Sequence, residues 1–518
     1  MGAIISTKIT RWDGGMVNDP RSRLSNACRV CTNFDALTNP YRLTPYRESE
    51  NGDSNGATEM TRRWTVALGA SSTYRLFGLA RQNASDKVQI FYKDLTTSST
   101  DLSDAGWTTT ANNTASTNST VNYAMFCWYP KLNMIFGFHG NRYIFEYDPD
   151  GGTAFNETDA DLGASSEVTA DAIVHPADDC MYVPYITSAG VPTIAKNNNG
   201  TWTTSAATFP VGYRINSICV YGSKIAVALR PTSGLENSRV LIWDRDTSVV
   251  TFDENIDAGD GNIIWLEELE GNLVGMTLTS GLNLVSTTRF YDRLSFRVFS
   301  NYGMQELAVI QGTTSTRWTT YKQKINNRVH FMMGVSLNGS IREGIWSFGR
   351  NSLGQWALIH ERTPDNDTLT ENAGAGALQG FYYVGDYLFQ AFVNTSSARE
   401  VTKTNNSASY TATSIYESLI NPNLGEQYQK SYKQLKSVMV RYASLPSAGQ
   451  VVLKYKVDGG SYTTVVTETT DNAVYTEMVS AGSTAFTAGR EYEFRLESTG
   501  GAEILELCPT YEILETNG

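Results

Sequence analysis

The sequence predicts an all-β protein, a seven-bladed β-propeller followed by a C-terminal β-sandwich. Residues that favour strands and turns, such as Thr, Val, Tyr, Asn and Gly, are abundant, and long helical patterns of Glu, Lys and Ala are nearly absent. An apolar hairpin recurs along the chain at a spacing of about fifty residues, the range of propeller blades. The last part of the chain lacks this hairpin but keeps alternating strands.

We divide the chain into three parts. Residues 1–54 form an extended leader that packs on the body or on a neighbouring subunit, residues 55–408 form the propeller, and residues 409–518 form the sandwich. A chain of 518 residues with 41% hydrophobic composition is long and apolar enough for such cores. Six or eight blades are alternatives to seven. Two or three stacked sandwiches are the alternative architecture, but they predict no regular period.

The repeated unit is an apolar strand, a short polar turn and a second, more apolar strand. The second strands read as continuous apolar runs, as expected when neighbouring sheets cover both faces of a strand. We therefore predict buried strands at Lys224–Leu229 and Val329–Val335. The hairpins are Trp64–Ala80, Ala124–Phe138, Ala172–Tyr185, Ile215–Leu229, Ile263–Leu278, Tyr321–Val335 and Leu378–Phe392.

The C-terminal part shows a different pattern from about Tyr410 onward. Lys433–Val466 contains alternating strands around an Asp-Gly-Gly turn, which is a strong hairpin signal. Gly489–Leu514 adds two or three further strands. This pattern predicts the sandwich, a type of module that packs against partners and seldom carries chemistry.

The charge balance excludes several function classes. A formal net charge of -12 repels nucleic-acid phosphate, so we expect no specific nucleic-acid binding. No apolar run approaches the roughly 18 residues needed for a membrane-spanning helix. The N-terminus lacks the order of basic, apolar and small residues found in signal peptides. We expect synthesis and folding in a cytoplasm.

The sequence contains no recognisable catalytic or metal-binding set. The four histidines fall in or beside four different strand signals, and no HExxH motif is present. Cys28 and Cys31 form a single "CRVC" with no second pair at zinc-finger spacing, which predicts two free thiols. We therefore predict no enzyme activity, no catalytic residues, no cofactor and no metal.

Three acidic stretches are weak motif matches. Ser103–Trp107 ("SDAGW") resembles the Asp-box of sialidases but is shorter and occurs once, so we interpret it as a turn before a packing tryptophan. Asp244–Ser248 and Asp253–Asn262 offer oxygen ligands of the kind that calcium prefers. The second of these lacks EF-hand spacing, and we interpret both as solvated acidic loops.

Both ends of the chain resemble a known class of proteins. Ile9–Ser22 ("ITRWDGGMVNDPRS") and Cys31–Ser49 ("CTNFDALTNPYRLTPYRES") resemble the leader of propeller-type virion proteins of tailed bacteriophages. Ser414–Tyr442 is similar to the linker and first strand of their terminal sandwich. The resemblance implies a structural tail nozzle, tail-tip or adaptor protein, located in the virion tail after synthesis in the host cytoplasm. It implies a homo-oligomeric ring through which DNA passes during ejection, with other phage tail proteins as partners.

The leader and the linker supply the candidate interface residues. We expect Ile4–Thr10 to add an edge strand to the last blade or to the sandwich, before a turn at Trp12. Behind that turn we expect Phe34, Leu37, Tyr41, Leu43 and Tyr46 to pack along the outside of the body. The candidate interface residues are Trp12, Asp13, Gly14, Gly15, Tyr432 and Leu435.

Two other functions remain open. The first is a glycan-binding or glycan-hydrolysing propeller, such as a receptor-binding tail protein, with Trp107, Trp202 and Trp356 as candidate glycan contacts. The competing interpretation of these three tryptophans is packing between blades. The second is a cellular protein-interaction propeller, which the absence of "GH…WD" blade signatures disfavours.

Overall fold

The computed structural model shows a chain of β-strands that divides into two compact units. Unit 1 comprises Met1–Ser49, Gly344–Thr368 and Asn405–Gly518, and unit 2 comprises Glu50–Glu343 and Leu369–Thr404. The structure describes residues 3–17, 21–22, 26–46, 49–50, 63–69, 72–82, 87–95, 108–109, 125–138, 142–150, 155–232, 237–248, 250–259, 261–282, 289–300, 303–312, 317–337, 340–363, 378–384, 387–393, 399–404, 413–479 and 486–515.

Short strands of the N-terminal segment come first in the chain. They are β1 (Ile4–Ser6), β2 (Cys28–Thr32), β3 (Phe34–Asp35), β4 (Thr44–Pro45) and β5 (Ser49–Glu50).

The blades follow as consecutive antiparallel sheets. The first is β6 (Arg63–Leu68), β7 (Tyr74–Gln82), β8 (Lys87–Asp94) and β9 (Thr108–Thr109), and the second is β10 (Phe126–Tyr129), β11 (Met134–Phe138), β12 (Tyr143–Tyr147) and β13 (Phe155–Asp161). The third is β14 (Glu167–Val168), β15 (Ile173–His175), β16 (Cys180–Ile186), β17 (Pro192–Asn198) and β18 (Thr201–Thr208). The fourth is β19 (Tyr213–Tyr221), β20 (Lys224–Pro231), β21 (Arg239–Trp243) and β22 (Phe252–Asp257).

The last three blades continue this order. The fifth is β23 (Asn262–Leu269), β24 (Asn272–Leu282), β25 (Arg289–Ser300) and β26 (Gly303–Gly312). The sixth comprises β27 (Arg317–Ile325) and β28 (Arg328–Leu337) in unit 2 and continues in sequence through β29 (Ser340–Arg350) and β30 (Trp356–Arg362). The seventh contains β31 (Leu378–Val384), β32 (Tyr387–Val393) and β33 (Arg399–Thr404), with β5 as its fourth strand.

These sheets form the predicted seven-bladed propeller. The inner strands lie side by side around an axis, and β31 of the last sheet lies beside β6 of the first, which closes the ring. Apolar cores lie between successive blades, for example where Tyr182 of the third blade packs with Val227 and Trp243 of the fourth. Ile225–Leu229 and Val329–Val335 are buried, so both predicted buried strands are confirmed.

Unit 1 contains the predicted sandwich. Its strands are β34 (Ser414–Ser418), β35 (Tyr432–Tyr442), β36 (Gln450–Val457), β37 (Thr463–Glu468), β38 (Tyr475–Val479), β39 (Tyr492–Thr499) and β40 (Ile504–Glu515), with a short 3-10 helix at Glu426–Tyr428. One sheet has the strand order β1-β40-β35-β38, and the other contains β30-β2-β34-β39-β36-β37. The leader therefore contributes an edge strand to the first sheet and a central strand to the second.

The leader is part of the core of unit 1. The side chain of Trp12 is fully buried, and its ring meets the ring of Tyr416 edge-on at 4.9 Å. The expectation that the segment behind Trp12 packs along the outside is wrong for Phe34 and Leu43, which are both fully buried. Within the described residues, no helix has the length and hydropathy needed to cross a membrane.

Candidate functional site

The inner strands of the propeller enclose a cavity of about 390 Å³ on its axis. Each of the seven blades contributes lining residues from its innermost strand or from the segment just before it. A cavity lined by a few polar groups among apolar and aromatic ones is the usual form of a small-ligand site. The axial cavity is therefore the candidate functional site of unit 2. Its ionisable lining residues are Cys127, Asp171, Glu267, Tyr321, Lys322, Lys324 and Tyr382.

An arginine joins three blades beside this cavity. Arg63 starts β6 in the first blade, and its Nε lies 2.7 Å from Oδ1 of Asp171, which precedes β15 in the third blade. The guanidinium carbon of Arg63 also lies 5.2 Å from the ring centroid of Tyr321, in the sixth blade. A guanidinium over an aromatic face is an attractive contact that strengthens when solvent is excluded. Arg63 is only 5% exposed, so the charge of Asp171 keeps a buried cation neutralised.

A second ion pair lines the opposite wall. Lys322 Nζ, in the sixth blade, lies 2.5 Å from Glu267 Oε2 in the fifth blade. It also donates a hydrogen bond to the carbonyl of Leu266 in the fifth blade. Burial alone would lower the pKa of Lys322, but the negative charge of Glu267 outweighs it, and the pKa of Lys322 is raised. Lys322 is therefore a charged partner of Glu267 at neutral pH and unsuited to act as a general base.

These pairs limit the chemistry of the site. Glycosidases of most families need two carboxyl groups, one of which gives up a proton while the other attacks or activates water. Among the described lining residues, the two carboxylates are Asp171 and Glu267, and each is held by its own cation. The described carboxylates of the axis are therefore arranged as two separate ion pairs and not as a pair of carboxyl groups that face each other.

Side chains of inner strands also bind the backbone of the next blade. Gln323 binds Tyr383 twice, accepting from its N–H at 2.8 Å and donating to its carbonyl at 2.9 Å. Asn216 donates to the carbonyl of Ile263 at 2.8 Å, and Ser217 Oγ accepts from the N–H of Leu266 at 3.1 Å. These bonds replace the strand ladder that is missing between blades, so polar residues at the axis have a structural use.

The thiols near the axis are poor nucleophiles. Burial raises the pKa of Cys127, which lines the cavity, to about 12. Burial also raises the pKa of Cys219 far above that of a free thiol. Because the thiolate is the reactive form, both cysteines are inert at neutral pH.

The predicted leader residues lie inside unit 1. Asp13 is fully buried, accepts from Arg11 Nη2 at 3.0 Å and from Ser352 Oγ at 2.8 Å, and is therefore neutralised within the chain. Gly14 passes so close to the backbone of Asn26 that a Cβ atom would sit 2.2 Å from it. Gly15 has a φ of +80°, which only glycine adopts readily. In this chain Trp12 and Asp13 offer no exposed surface to a neighbour, and their interface role stays a prediction.

The other two interface candidates differ in exposure. Leu435 is fully buried in the sandwich, whereas Tyr432 is half-buried at the start of β35. Of this pair, only Tyr432 has surface that a partner can reach.

The candidate glycan contacts are engaged within the chain where they are described. The half-buried ring of Trp202 meets Phe136 edge-on, and its Nε1 donates to Asp159 Oδ2 at 2.7 Å. Trp356 stacks on Phe348 at 5.3 Å, and the Arg350 guanidinium lies 4.5 Å from its ring centroid. Trp107 lies outside the described residues.

Of the two acidic stretches, Asp244–Ser248 is a loop held by local bonds, whereas Asp253–Asp257 is part of strand β22, so the loop interpretation is wrong for that part. Asp244 accepts from the N–H of Asp246 at 2.9 Å, and Asp246 accepts from the N–H of Ser248 at 2.8 Å. Such turns are the common use of Asp in loops. In the described part of the chain, no group of three or more His, Cys, Asp or Glu side chains is arranged to hold a metal ion.

Sequence reasoning missed the axial ion pairs. Glu267 and Lys322 each belong to an inner strand that reads as one half of an apolar hairpin. The signal that could have revealed them is the pair of lysines in "YKQKI" (Tyr321–Ile325). Burying an unpaired charge is costly, so lysines in an inner strand indicate partners of opposite charge at the axis.

The chain is similar to known proteins in its fold only. No protein-family model matches the chain, and no curated protein matches it. Among solved structures, it is similar to an exo-β-1,3-galactanase from Phanerochaete chrysosporium, at 12% identity and a TM-score of 0.32 over 90% of this chain and 100% of that one. It is also similar to a Trypanosoma rangeli sialidase, at 10% identity and a TM-score of 0.34 over 98% of this chain and 96% of that one.

A third similar structure is an apocarotenoid oxygenase from Synechocystis, at 9% identity and a TM-score of 0.37 over 70% of this chain and 92% of that one. All three are named as enzymes, yet likenesses this weak carry no argument about activity, ligand or partner. The absence of enzyme activity in this chain stays a prediction.

Proposed function

We propose that the chain is a structural virion protein of a tailed bacteriophage, a ring-forming nozzle, tail-tip or adaptor component of the tail. The observation that supports it best is the construction of unit 1. The two ends of the chain that resemble this class fold together there, with Trp12 of the leader packed against Tyr416 of the linker. A large fraction of the chain thus forms a compact unit that contains the sandwich, and we take this unit as the source of contacts with tail partners.

The electrostatics also favour a structural role. The described carboxylates and lysines of the axis are used in ion pairs, such as Arg63 with Asp171 and Lys322 with Glu267. The net charge of -12 suits a ring through which DNA passes, because phosphate repulsion prevents adhesion. In this proposal the DNA path lies between subunits.

The test is the presence of the chain in virions. Phage particles from a culture that carries this gene are purified on a density gradient, analysed by mass spectrometry and labelled with antibodies against the chain. We expect several copies per particle and labelling at the tail. Purified particles that lack the chain would contradict the proposal.

Glycan binding is the second candidate function, and the axial cavity is the observation that favours it. Its wall combines Tyr321 and Tyr382 with hydrogen-bonding groups, a combination that also suits sugars. A panel of glycans and chromogenic glycosides separates the two functions. Saturable binding or turnover that Tyr382→Ala abolishes would favour the glycan function over the purely structural one.

A further inference from the structure

The four-stranded sheet of unit 1 has two open edges. β1 pairs with β40, and β38 pairs with β35, and within the described residues neither strand has a partner on its other side. An open edge presents a row of N–H and C=O groups that can pair with another chain. Proline and bulges usually protect such edges, but neither strand contains a proline and neither pairing contains a register shift.

The internal hydrogen bonds show which backbone groups of β38 are available. The N–H of Tyr442 donates to the carbonyl of Val474 at 3.0 Å, so these two residues form a hydrogen-bonded pair. Hydrogen-bonded and non-hydrogen-bonded pairs alternate in an antiparallel ladder. The backbone groups of Tyr475, Glu477 and Val479 therefore point away from β35. The side chains of these same three residues are exposed.

The same reasoning applies to the opposite edge. The N–H groups of Thr7 and Ile9 donate to carbonyls of β40 at 3.0 and 2.9 Å. By alternation, the backbone groups of Ile4, Ser6 and Lys8 point away from β40, and of these the carbonyl of Lys8 already accepts a hydrogen bond from Asn423 Nδ2 at 2.6 Å. The side chains of Ile4 and Lys8 are 68% and 63% exposed.

The two edges are complementary to each other. We propose that β1 of one copy pairs antiparallel with β38 of the next copy, so that the sheet continues from subunit to subunit. The outward N–H and C=O groups of Ile4 and Ser6, and the N–H of Lys8, then bind the facing strand, while the carbonyl of Lys8 keeps its bond to Asn423. Ile4 lies opposite Val479, Ser6 opposite Glu477, and Lys8 opposite Tyr475. These are an apolar pair, a hydrogen-bonding pair and a cation beside an aromatic ring, all favourable across strands.

Pairing of like edges is less favourable. Two copies of β38 related by a twofold axis would place Glu477 opposite Glu477, and like charges directly opposite repel. Two copies of β1 would place the apolar Ile4 opposite the charged Lys8. The charges thus favour the contact between unlike edges, which is a head-to-tail interface and generates rings or filaments.

This inference deepens the proposed ring-forming function and rests on it for the expectation that the contact closes into a ring. Three hydrogen-bonded residue pairs form a small interface. The isolated chain is therefore expected to associate weakly, and the tail partners to hold the copies at the concentration that the contact needs.

Cysteine cross-linking tests the contact. Opposite residues in a hydrogen-bonded antiparallel pair have Cα atoms about 5.5 Å apart, within the range of a disulfide. The full-length chain with Ser6→Cys and Glu477→Cys is made in a Cys508→Ser background, because Cys508 is partly exposed on the same sheet. Mild oxidation at high protein concentration should give a ladder of covalent dimers, trimers and larger species on a non-reducing gel.

Three matched controls define the result. Ser6→Cys alone and Glu477→Cys alone should stay monomeric, and so should Ser6→Cys with Thr464→Cys, which places the second cysteine on the exposed edge strand β37. An equal ladder in any control, or no ladder from the test pair, overturns the proposed contact.

A proline variant gives an independent measurement. The N–H of Glu477 points outward, so Glu477→Pro removes one donor of the edge and leaves the bonds between β38 and β35 intact. We expect an unchanged melting temperature and at least a tenfold weaker self-association by sedimentation, whereas Glu477→Gln keeps the N–H and the association. Unchanged association in a folded Glu477→Pro chain overturns the contact. If that variant does not fold, the cross-linking result decides.

The outcomes also separate this inference from the proposed function. If the chain is present in virions but the cysteine pair does not cross-link there, the interface is wrong and the virion role stands. If the pair cross-links in solution but the chain is absent from virions, the interface stands and the virion role is wrong.

Discussion

Arg63 and Asp171 connect the first and third blades through an ion pair of 2.7 Å beside the propeller axis. Tyr321 of the sixth blade contributes its ring face to the same guanidinium. The buried guanidinium of Arg63 in the first blade thus contacts the third and the sixth blade, neither of which is adjacent to the first. The contact gives the propeller a connection through its centre in addition to the contacts around its ring.

The first prediction concerns this pair. Asp171→Asn removes the carboxylate charge that lies 2.7 Å from the buried Arg63 guanidinium, and we expect a loss of about 2 to 3 kcal/mol in the free energy of unfolding. Lys224 and Asp253 form a comparable pair at 2.9 Å whose side chains are 38% and 39% exposed. Asp253→Asn should therefore cost less than about 1 kcal/mol. Chemical denaturation of both variants measures the difference, and equal losses would contradict the structural role of Arg63.

The second prediction concerns the core between blades. Val227 is fully buried in the cluster that joins the third and fourth blades. Val227→Asp places an unpaired charge between two sheets and should cost several kcal/mol, about enough to prevent folding at 37 °C. Val211 is 68% exposed, so Val211→Asp is the matched control and should leave the melting temperature unchanged. A soluble Val227→Asp chain with the original melting temperature would mean that the blade register is wrong.

The third prediction concerns pH. His175 Nδ1 accepts from the N–H of Ala177 at 3.1 Å, so the Nε2 proton faces the carbonyl of Lys224 at 3.1 Å. The pKa of His175 is lowered, mainly because the side chain is buried and also because the positive charge of Arg245 is close. The hydrogen bond to the carbonyl of Lys224 and the charge of Asp178 raise the pKa but do not outweigh these two effects.

The sign of the effect follows from proton uptake. Just below about pH 6.5, the ordinary pKa of histidine, His175 is protonated in the unfolded chain but stays neutral in the folded chain, because its pKa is lower there. The contribution of His175 to stability is therefore present above about pH 6.5 and decreases as the pH falls through that value. Denaturation at pH 5 to 8 should show a steeper acid loss for the wild-type chain than for His175→Asn. Parallel curves would contradict this role of His175.

The fourth prediction concerns a buried lysine in unit 1. The side chain of Lys433 is fully buried, and its Nζ donates to the carbonyls of Ser431 at 3.1 Å, Gln429 at 3.3 Å and Arg490. Lys433→Met removes the donor of the buried Ser431 carbonyl, while the carbonyls of Gln429 and Arg490 keep their hydrogen bonds from Asn421 Nδ2, so we expect a loss of about 1 to 3 kcal/mol. Lys436→Met removes a lysine whose partner is Glu512 at the surface and should cost under about 1 kcal/mol. Equal melting temperatures for the two variants would contradict the prediction.

The blades were predictable from sequence because each buried strand is identified by its own run of apolar residues. A strand covered on both faces must be apolar along its whole length, and Ile225–Leu229 is buried as its composition predicts. The position of the leader was not predictable in this way. β2 lies between β30 and β34, and nothing in the local pattern of Cys28–Thr32 identifies strands so distant in sequence as its neighbours.

The candidate site shows the same limit. Lys322 and Glu267 lie in different blades, and only the closed ring brings their charges together at 2.5 Å. The sequence gives the ionisable residues but not their pairing. The same applies to Asp13, whose partner Ser352 lies far along the chain.

The last prediction concerns truncation, where the structure changes the expected result. A leader that only reached a partner could be removed without effect on the fold. Here removal of residues 1–50 deletes the central strand β2 from one sheet and the buried Trp12 from the core, and it removes from the propeller only β5, the two-residue edge strand of the seventh blade. We therefore expect the sandwich to lose its protection against hydrogen exchange at β35 and β40, while β20 and β24 of unit 2 stay protected. Removal of residues 1–7 is the matched control, because it deletes only the edge strand β1. That shorter truncation should keep both units protected and abolish self-association. A protected sandwich in the chain without residues 1–50 would show that the leader is dispensable for folding, and its role would then lie in contacts with other molecules.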